Sequence, residues 1–255
     1  MFACYFYPGM LRLDQALVDR GLCDSREKAK RAILAGQVQV NGQRARKASD
    51  SVRPADEVTL TQPERYVSRG GYKLEHALAA LSVTVQGQTA IDLGASTGGF
   101  TDCLLQHGAG RVYAVDVGRG QLAWKLRQDS RVVVMERVNA REVRASDFPS
   151  PFAPADLVVI DCSFISLRKL LPNAVALLRP GGNIVALIKP QFEAGKAEAD
   201  RGAGVITDPA IHARVLAELE QFVKQMPELK WRQVTESPLL GPAGNKEFFV
   251  LLEKA

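Results

Sequence analysis

From Thr89 onward the chain repeats one pattern: short, unbroken apolar runs separated by segments whose apolar residues have helical spacing. The runs are TAIDL, RVYAVDV, RVVVME, DLVVID, NIVALIK and KEFFVLLE. Continuous apolar runs are typical of strands buried on both faces, as in a mostly parallel sheet covered by helices. We therefore predict an α/β domain with such a sheet over residues 73–255.

Composition excludes several classes of protein. The chain has 46% apolar and 24% charged residues, an ordinary globular profile. Its longest apolar runs fall far short of the roughly 18 residues of a membrane span. The four cysteines form no C-x-x-C pair and lie apart from the three histidines. We expect neither a metal site nor disulfides, and a cytoplasmic location.

The first ten residues, MFACYFYPGM, do not fit the pattern that follows. They carry no basic segment and too short an apolar stretch for a signal peptide. We interpret Met10 as the natural start and residues 1–10 as an extension. A short apolar anchor is the alternative.

Residues 11–61 predict a small separate domain. Leu13, Leu17 and Val18 share one face of a first helix. Asp24 or Ser25 can cap a second helix, in which Ala29, Ile33 and Leu34 are expected to face inward. The pair Asn41-Gly42 then predicts a hairpin turn. Residues 62–72, QPERYVSRGGY, read as a linker, and a helix is predicted from Lys73 to about Leu81.

This small domain has a basic face. Between Arg26 and Lys47, seven basic residues stand against one acid, a local charge of +6. A charge run alone is usually a solvated surface, but a one-sided basic face also suits a polyanion. The candidate RNA-binding residues are Arg12, Arg26, Lys28, Lys30, Arg31, Arg44 and Lys47.

A glycine-rich turn follows the first predicted strand of the larger domain. In AIDLGASTGGFTD the glycines have the spacing Gly94-x-x-x-Gly98-Gly99. A strand, a glycine turn and a helix start allow close backbone approach to a nucleotide-like ligand, although the turn could be purely structural. Asp116, at the end of the second strand, is placed to bind ribose hydroxyls. Together these features favour an adenosine-containing cofactor.

Two further strands end in ionisable residues. DLVVID ends at Asp161, and NIVALIK ends at Lys189, which is followed at once by Pro190. Taken alone, Lys189 could be a snorkelling residue at a sheet edge and Asp161 a surface acid. If the two strands are neighbours, both side chains project from one edge of the sheet.

These motifs resemble known families. RLDQALVDRGLCDSREKAKRAILAGQVQVNGQ resembles the S-four-type RNA-binding domain, also called the alpha-L motif. DLGASTGGFTD resembles the FtsJ-like ribose methyltransferases, which have a Rossmann-like fold. With SRGGYKLEHAL, ALIKPQFE and GVITDP, the chain resembles the TlyA family of rRNA methyltransferases, often labelled haemolysin A.

The resemblance implies an activity, a cofactor and a set of site residues. It implies methyl transfer from S-adenosylmethionine to a cytidine 2′-hydroxyl in ribosomal RNA. The last strand would be antiparallel, so that its start joins the same edge. The implied catalytic tetrad is Lys73, Asp161, Lys189 and Glu247. The implied cofactor-binding residues are Asp92, Gly94, Ser96, Thr97, Gly98 and Asp116.

Within that tetrad we assign Lys189 as the base. A free lysine has a pKa of about 10.4, so it needs help to accept a proton at neutral pH. We expect Lys73 to assist it, and Asp161 and Glu247 to orient the two amines.

Other functions remain open at this point. Methylation of a base is disfavoured because DCSF lacks the Pro-Pro-aromatic element of amine methyltransferases. A non-catalytic ribosome-assembly protein and a membrane-active haemolysin are the alternatives outside this enzyme class. The resemblance implies that shorter chains of the family act on large-subunit rRNA and longer ones on both subunits. This chain ends soon after its last strand, which favours large-subunit rRNA, with small-subunit rRNA as the alternative. The expected partner is the rRNA or a ribosomal subunit.

Overall fold

The computed structural model describes residues 9–23, 25–61, 65–195, 198, 202 and 204–255. It divides the chain into two compact units, Met1–Arg65 and Tyr66–Ala255. Most of the predicted extension 1–10, the alternative cap Asp24 and residues 62–64 of the predicted linker lie outside the described residues.

The small unit combines two helices with short antiparallel strands. Its helices are α1 (Leu13–Asp19) and α2 (Arg26–Leu34). Strand β1 (Leu11–Arg12) pairs with β4 (Ser51–Val52). Strand β2 (Val38–Val40) lies between β3 (Gln43–Arg44) and β5 (Val58–Leu60).

Local sequence explains most of this unit. The Ser25 hydroxyl accepts a hydrogen bond from the Lys28 backbone N–H at 3.3 Å and so caps α2. Asn41 and Gly42 both have positive φ, as the turn of a tight hairpin requires. The expectation for Leu34 is wrong: its side chain is 79% exposed. Ala29, Ala32 and Ile33, at spacings of three and four, form the buried face of the helix instead.

The large unit is built on a seven-stranded sheet. In chain order the strands are β6 (Thr89–Leu93), β7 (Arg111–Asp116), β8 (Val132–Glu136), β9 (Ala155–Ile160), β10 (Leu178–Ile188), β11 (Leu229–Glu236) and β12 (Phe248–Lys254). Their order across the sheet is β11-β12-β10-β9-β6-β7-β8. Strand β12 runs opposite to the other six strands, which all point the same way, so the predicted α/β, mostly parallel fold is confirmed.

Helices cover both faces of this sheet. They are α3 (Gly70–Ala80), α4 (Gly99–Gln106), α5 (Trp124–Arg127), α6 (Leu171–Ala176), α7 (Pro190–Glu193) and α8 (Pro209–Lys224), with 3₁₀ turns at Ala145–Asp147 and Leu167–Lys169. Ala90 packs with α3 and α4, and the next residue, Ile91, packs with α6 and α8. Successive residues of a strand point to opposite faces, which is why the buried strands read as continuous apolar runs.

Two boundaries differ from the sequence-based expectation. Tyr66 is 1% exposed within the core of the large unit, and α3 already begins at Gly70. Residues 66–72 therefore belong to the large unit rather than to a linker. Strand β11 was not predicted, because LKWRQVTE is an edge strand with mixed exposure and lacks an unbroken apolar run.

Candidate active site

Strand register brings the predicted catalytic residues to the carboxyl edge of the sheet. Strand β9 ends one residue before Asp161, and β10 ends one residue before Lys189. These two strands are parallel neighbours, with Ala186 opposite Ile160. Because β12 runs antiparallel to β10, its start lies at the same edge, with Glu247 just before it.

Pro190 ends the strand immediately after the lysine. It occupies the first position of α7, where a proline costs no hydrogen bond and its fixed φ suits the helix. The chain therefore turns away directly after Lys189.

The four predicted catalytic residues line one cavity of about 510 Å³. They form two close ion pairs. Lys73 Nζ lies 2.5 Å from Glu247 Oε2, and both side chains are buried. Lys189 Nζ lies 2.6 Å from Asp161 Oδ1, at the more open side of the cavity. Each lysine is thus held by a different carboxylate.

Lys189 has one polar neighbour that was not predicted from the sequence. The Lys189 ammonium donates a hydrogen bond of 2.9 Å to the hydroxyl of Ser163. Ser163 lies two residues after Asp161 and lines the cavity. Serine is common in loops, so its presence after a strand carried no signal of its own.

A second pocket, of about 430 Å³, adjoins the first. The two share Gly94, Ser96, Asp161 and Ser163 among their lining residues. Asp116 also lines the second pocket, where its carboxylate accepts hydrogen bonds from the backbone N–H groups of Ser96 and Gly118. Lining residues that the sequence did not point to include Val117, Val138, Asn139 and Phe164.

The glycine-rich loop comes unusually close to the neighbouring strand end. A Cβ on Gly94 would lie 2.7 Å from the backbone oxygen of Asp161, and Gly94 has φ of +90°. Only glycine fits such a position without a shift of the backbone. Thr97 lines the first cavity. Gly98 lines neither pocket; it is the N-cap residue of α4 and packs against Leu126.

Asp92 is fully buried beneath this loop. Its Oδ2 accepts a 2.7 Å hydrogen bond from Thr101, and its Oδ1 has no hydrogen-bond partner within the described part of the chain. Burial raises the pKa of Asp92 to about 7, and the nearby charge of Asp161 acts in the same direction. An unpaired buried carboxylate oxygen is costly unless a ligand or water satisfies it.

The predicted RNA-binding residues fall into two groups. Lys28, Lys30, Arg31, Arg44 and Lys47 are exposed on α2 and the segment after it. Arg12 and Arg26 are half exposed, and both bind the buried carboxylate of Asp14, at 3.0 and 2.8 Å. The hydrogen bond from Arg12 is the main cause that lowers the pKa of Asp14 to about 2.

Two absences concern the described residues alone. No group of three or more His, Cys, Asp and Glu side chains among them could hold a metal ion. Every helix in this part of the chain is too short or too polar to span a bilayer.

Three features define the class of protein: the order of the strands, a glycine loop after β6, and an acid at the end of β7. They are those of Rossmann-like methyltransferases. The comparisons agree. The model of the FtsJ-like methyltransferase family matches residues 66–254, and that of the S4 domain matches residues 11–58. The O-methyltransferase TomG from Streptomyces achromogenes shares the fold of the large unit, with a TM-score of 0.51 and 20% identity over 76% of this chain and 83% of that one.

Several relatives resemble nearly the whole chain. The 16S/23S rRNA (cytidine-2′-O)-methyltransferase TlyA of Mycobacterium tuberculosis is 47% identical over 94% of this chain and 89% of its own. Hemolysin A of Brachyspira hyodysenteriae is 39% identical over 93% of this chain and 98% of its own. The solved structure of a Streptococcus thermophilus protein that carries the haemolysin label has a TM-score of 0.72 and 43% identity. The match covers 98% of this chain and 90% of that one. The chain belongs to the TlyA family, as its motifs indicated.

Proposed function

We propose that this chain transfers a methyl group from S-adenosylmethionine to the 2′-hydroxyl of a cytidine in ribosomal RNA. One observation carries the proposal: two lysines and two carboxylates line a single cavity that opens beside a nucleotide-type pocket. Relatives named as rRNA (cytidine-2′-O)-methyltransferases support the choice of substrate. Action on rRNA implies that the protein works in the cytoplasm.

The second pocket suits S-adenosylmethionine. Gly94 and Ser96 of the glycine loop line the pocket, and Asp116 lies where a ribose would bind. Asp92 lines neither pocket and instead supports the loop from beneath, through its hydrogen bond with Thr101 at the start of α4. Ser96, Thr97 and Gly98 complete the loop, with Gly98 acting through its backbone conformation. When bound, the cofactor supplies an electrophilic methyl group on a positively charged sulfur.

Lys189 is the proposed base. A ribose hydroxyl is a poor nucleophile until its proton is removed, and a lysine accepts a proton only as the neutral amine. A neutral amine has two N–H groups and one lone pair. Asp161 and Ser163 supply two oxygen neighbours for the nitrogen of Lys189, at 2.6 and 2.9 Å. The lone pair is then left to face the cavity and the substrate hydroxyl.

Lys73 and Glu247 form the other half of the site. Their 2.5 Å ion pair is almost completely buried, which keeps both side chains in one arrangement. A cation held in this way stabilises negative charge that develops on the ribose oxygen as its proton leaves. Lys73 therefore assists the reaction without being the proton acceptor.

The small unit supplies RNA affinity in this proposal. Its exposed lysines and arginines suit phosphate contacts, which position an RNA rather than read its sequence. The substrate is RNA rather than DNA because the reacting 2′-hydroxyl exists only in RNA.

The deciding experiment maps methyl groups on rRNA. Both 16S and 23S rRNA from cells with and without the protein are digested and analysed by mass spectrometry, since relatives are named for 23S rRNA alone or for both. We expect a cytidine 2′-O-methyl group that depends on the protein. A methyl group on a base, or no dependence on the protein, would refute the proposal.

A second measurement tests the assignment of the base. Lys189→Ala should bind S-adenosylmethionine in calorimetry but transfer its methyl group at least about 100-fold more slowly, the usual scale of general-base catalysis. Near wild-type transfer would make the assignment wrong.

Membrane lysis is the competing function that one relative's name suggests. Adding the pure protein to dye-filled liposomes distinguishes lysis from methyl transfer. Leakage at the concentrations that support methyl transfer would favour a direct lytic role.

A further inference from the structure

The exposed apolar side chains of the large unit are not scattered. Among its described residues, the large hydrophobic side chains that are exposed are Val117, Trp124, Phe164 and Leu240. All four follow the carboxyl ends of strands or lie in the loop between β11 and β12, which is at the same edge. Exposed apolar side chains gathered at one place mark an interaction site more often than single ones do.

Three of the four are accounted for by the cavities. Val117 and Phe164 line the proposed cofactor pocket, and Leu240 lines the cavity with the two lysines. Trp124 is 73% exposed and lines neither. Its exposure is therefore not explained by the cofactor or by the reacting ribose.

Trp124 is nevertheless held close to the site. The backbone N–H of the preceding residue, Ala123, donates to the carbonyl of Thr97 at 3.1 Å, and Thr97 lines the catalytic cavity. On either side of Trp124, Leu122 and Leu126 are buried against Gly98. The indole is thus exposed to solvent on a well-anchored turn that is bound to the loop lining the cavity.

The loops at this edge of the sheet also carry exposed arginines. Arg119 and Arg137 are exposed in the loops after β7 and β8, and the Arg137 backbone N–H binds the Gly118 carbonyl at 3.2 Å. An exposed aromatic ring together with arginines is the combination by which proteins bind unpaired nucleotides. A membrane partner is disfavoured, because the short helix α5 buries its other apolar residue, Leu126, and has no apolar face to insert.

We propose that Trp124 stacks on an unpaired base of the RNA, next to the nucleotide that enters the cavity. This inference rests on the proposed function for its partner, RNA, and adds a binding surface that the catalytic residues do not form. Arg119 and Arg137 would hold the adjoining phosphates. Stacking is indifferent to base identity, so Trp124 contributes affinity and placement rather than sequence selection.

The chain offers a direct optical test, since it contains two tryptophans. Trp231→Phe leaves Trp124 as the sole tryptophan and keeps an aromatic ring on strand β11. We expect its fluorescence to be quenched by a single-stranded oligoribonucleotide, and much less by duplex RNA at equal phosphate concentration. No quenching at saturating RNA would overturn the proposal, and so would a blue shift with anionic vesicles but not with RNA.

Affinity measurements complete the test. Trp124→Ala should weaken binding of an rRNA transcript by about 5- to 150-fold, the range of one lost base stack, without altering the salt dependence. Trp124→Phe should recover most of the affinity, and Arg119→Gln should reduce the salt slope instead. If Trp124→Ala weakens S-adenosylmethionine binding and leaves RNA binding unchanged, the indole serves the cofactor pocket and the proposal is wrong. Failure of methyl transfer by the wild-type protein would refute the proposed function but not the stacking.

Discussion

Ser163→Ala tests the arrangement around Lys189 more finely than removal of the lysine itself. It deletes the hydroxyl that lies 2.9 Å from Lys189 Nζ and leaves Asp161 as the remaining oxygen neighbour. A hydrogen bond to a charged group contributes about 1.5–3 kcal/mol, and water can replace part of it because Ser163 is exposed. We expect the activation free energy of methyl transfer to rise by about 1.4 kcal/mol, which lowers the rate about tenfold.

The assay is single-turnover transfer of a labelled methyl group to an rRNA transcript at saturating S-adenosylmethionine. Calorimetry on the same samples measures cofactor binding, which should stay within about twofold of wild type if the effect lies on Lys189. Ser163→Thr keeps a hydroxyl and should restore most of the rate.

Ser166→Ala is the matched control, because it removes a hydroxyl from the same loop. The Ser166 hydroxyl donates to Glu193 at 2.6 Å rather than accepting from Lys189. We expect its transfer rate to stay within about threefold of wild type, which corresponds to a change of about 0.6 kcal/mol in the activation free energy. Two results would refute the idea that Ser163 positions the lone pair of Lys189. One is a wild-type transfer rate in Ser163→Ala, and the other is an equal loss of transfer rate in Ser163→Ala and Ser166→Ala.

Two further predictions concern buried carboxylates. Because the pKa of Asp92 is raised to about 7, the folded protein keeps a proton that the unfolded chain has lost, so this residue lowers stability as pH rises from about 4 to 7. Asp92→Asn should flatten that part of the stability curve in urea unfolding at several pH values; an unchanged slope would contradict the assignment. Asp14→Asn should weaken RNA binding although it makes the protein more positive, because Arg12 and Arg26 lose the carboxylate that orients them. The control is Asp19→Asn, on the same helix, which should bind RNA in a filter-binding assay as tightly as wild type or slightly more so. Tighter RNA binding by both variants would show that only the net charge matters.

Strand ends were the most predictable part of the site. Asp161 and Lys189 each follow an unbroken apolar run, and parallel neighbours end at the same edge of a sheet. Glu247 could be placed only through the family resemblance, because its position depends on β12 running antiparallel to β10. Strand β11 escaped prediction because half-exposed edge strands lack the apolar signal of buried ones.

The basic face shows a different limit. Counting charges between Arg26 and Lys47 located the surface but could not show which cations are held by a buried carboxylate. Asp14 is fully buried and takes two of the candidate arginines as partners. A carboxylate at the start of a helix looks like an ordinary helix residue in the sequence, so its partners became visible only in the folded unit.

Residue order alone was sufficient for the parallel sheet, the glycine loop and the ionisable residues at its edge. These follow from side-chain periodicity and from the few conformations open to glycine, both of which are local properties. Tertiary structure decided which lysine pairs with which carboxylate, that Ser163 is a neighbour of Lys189, and that Trp124 is left exposed beside the cavity. Such contacts depend on rotamers and on the paths of loops between distant segments, so no local pattern encodes them.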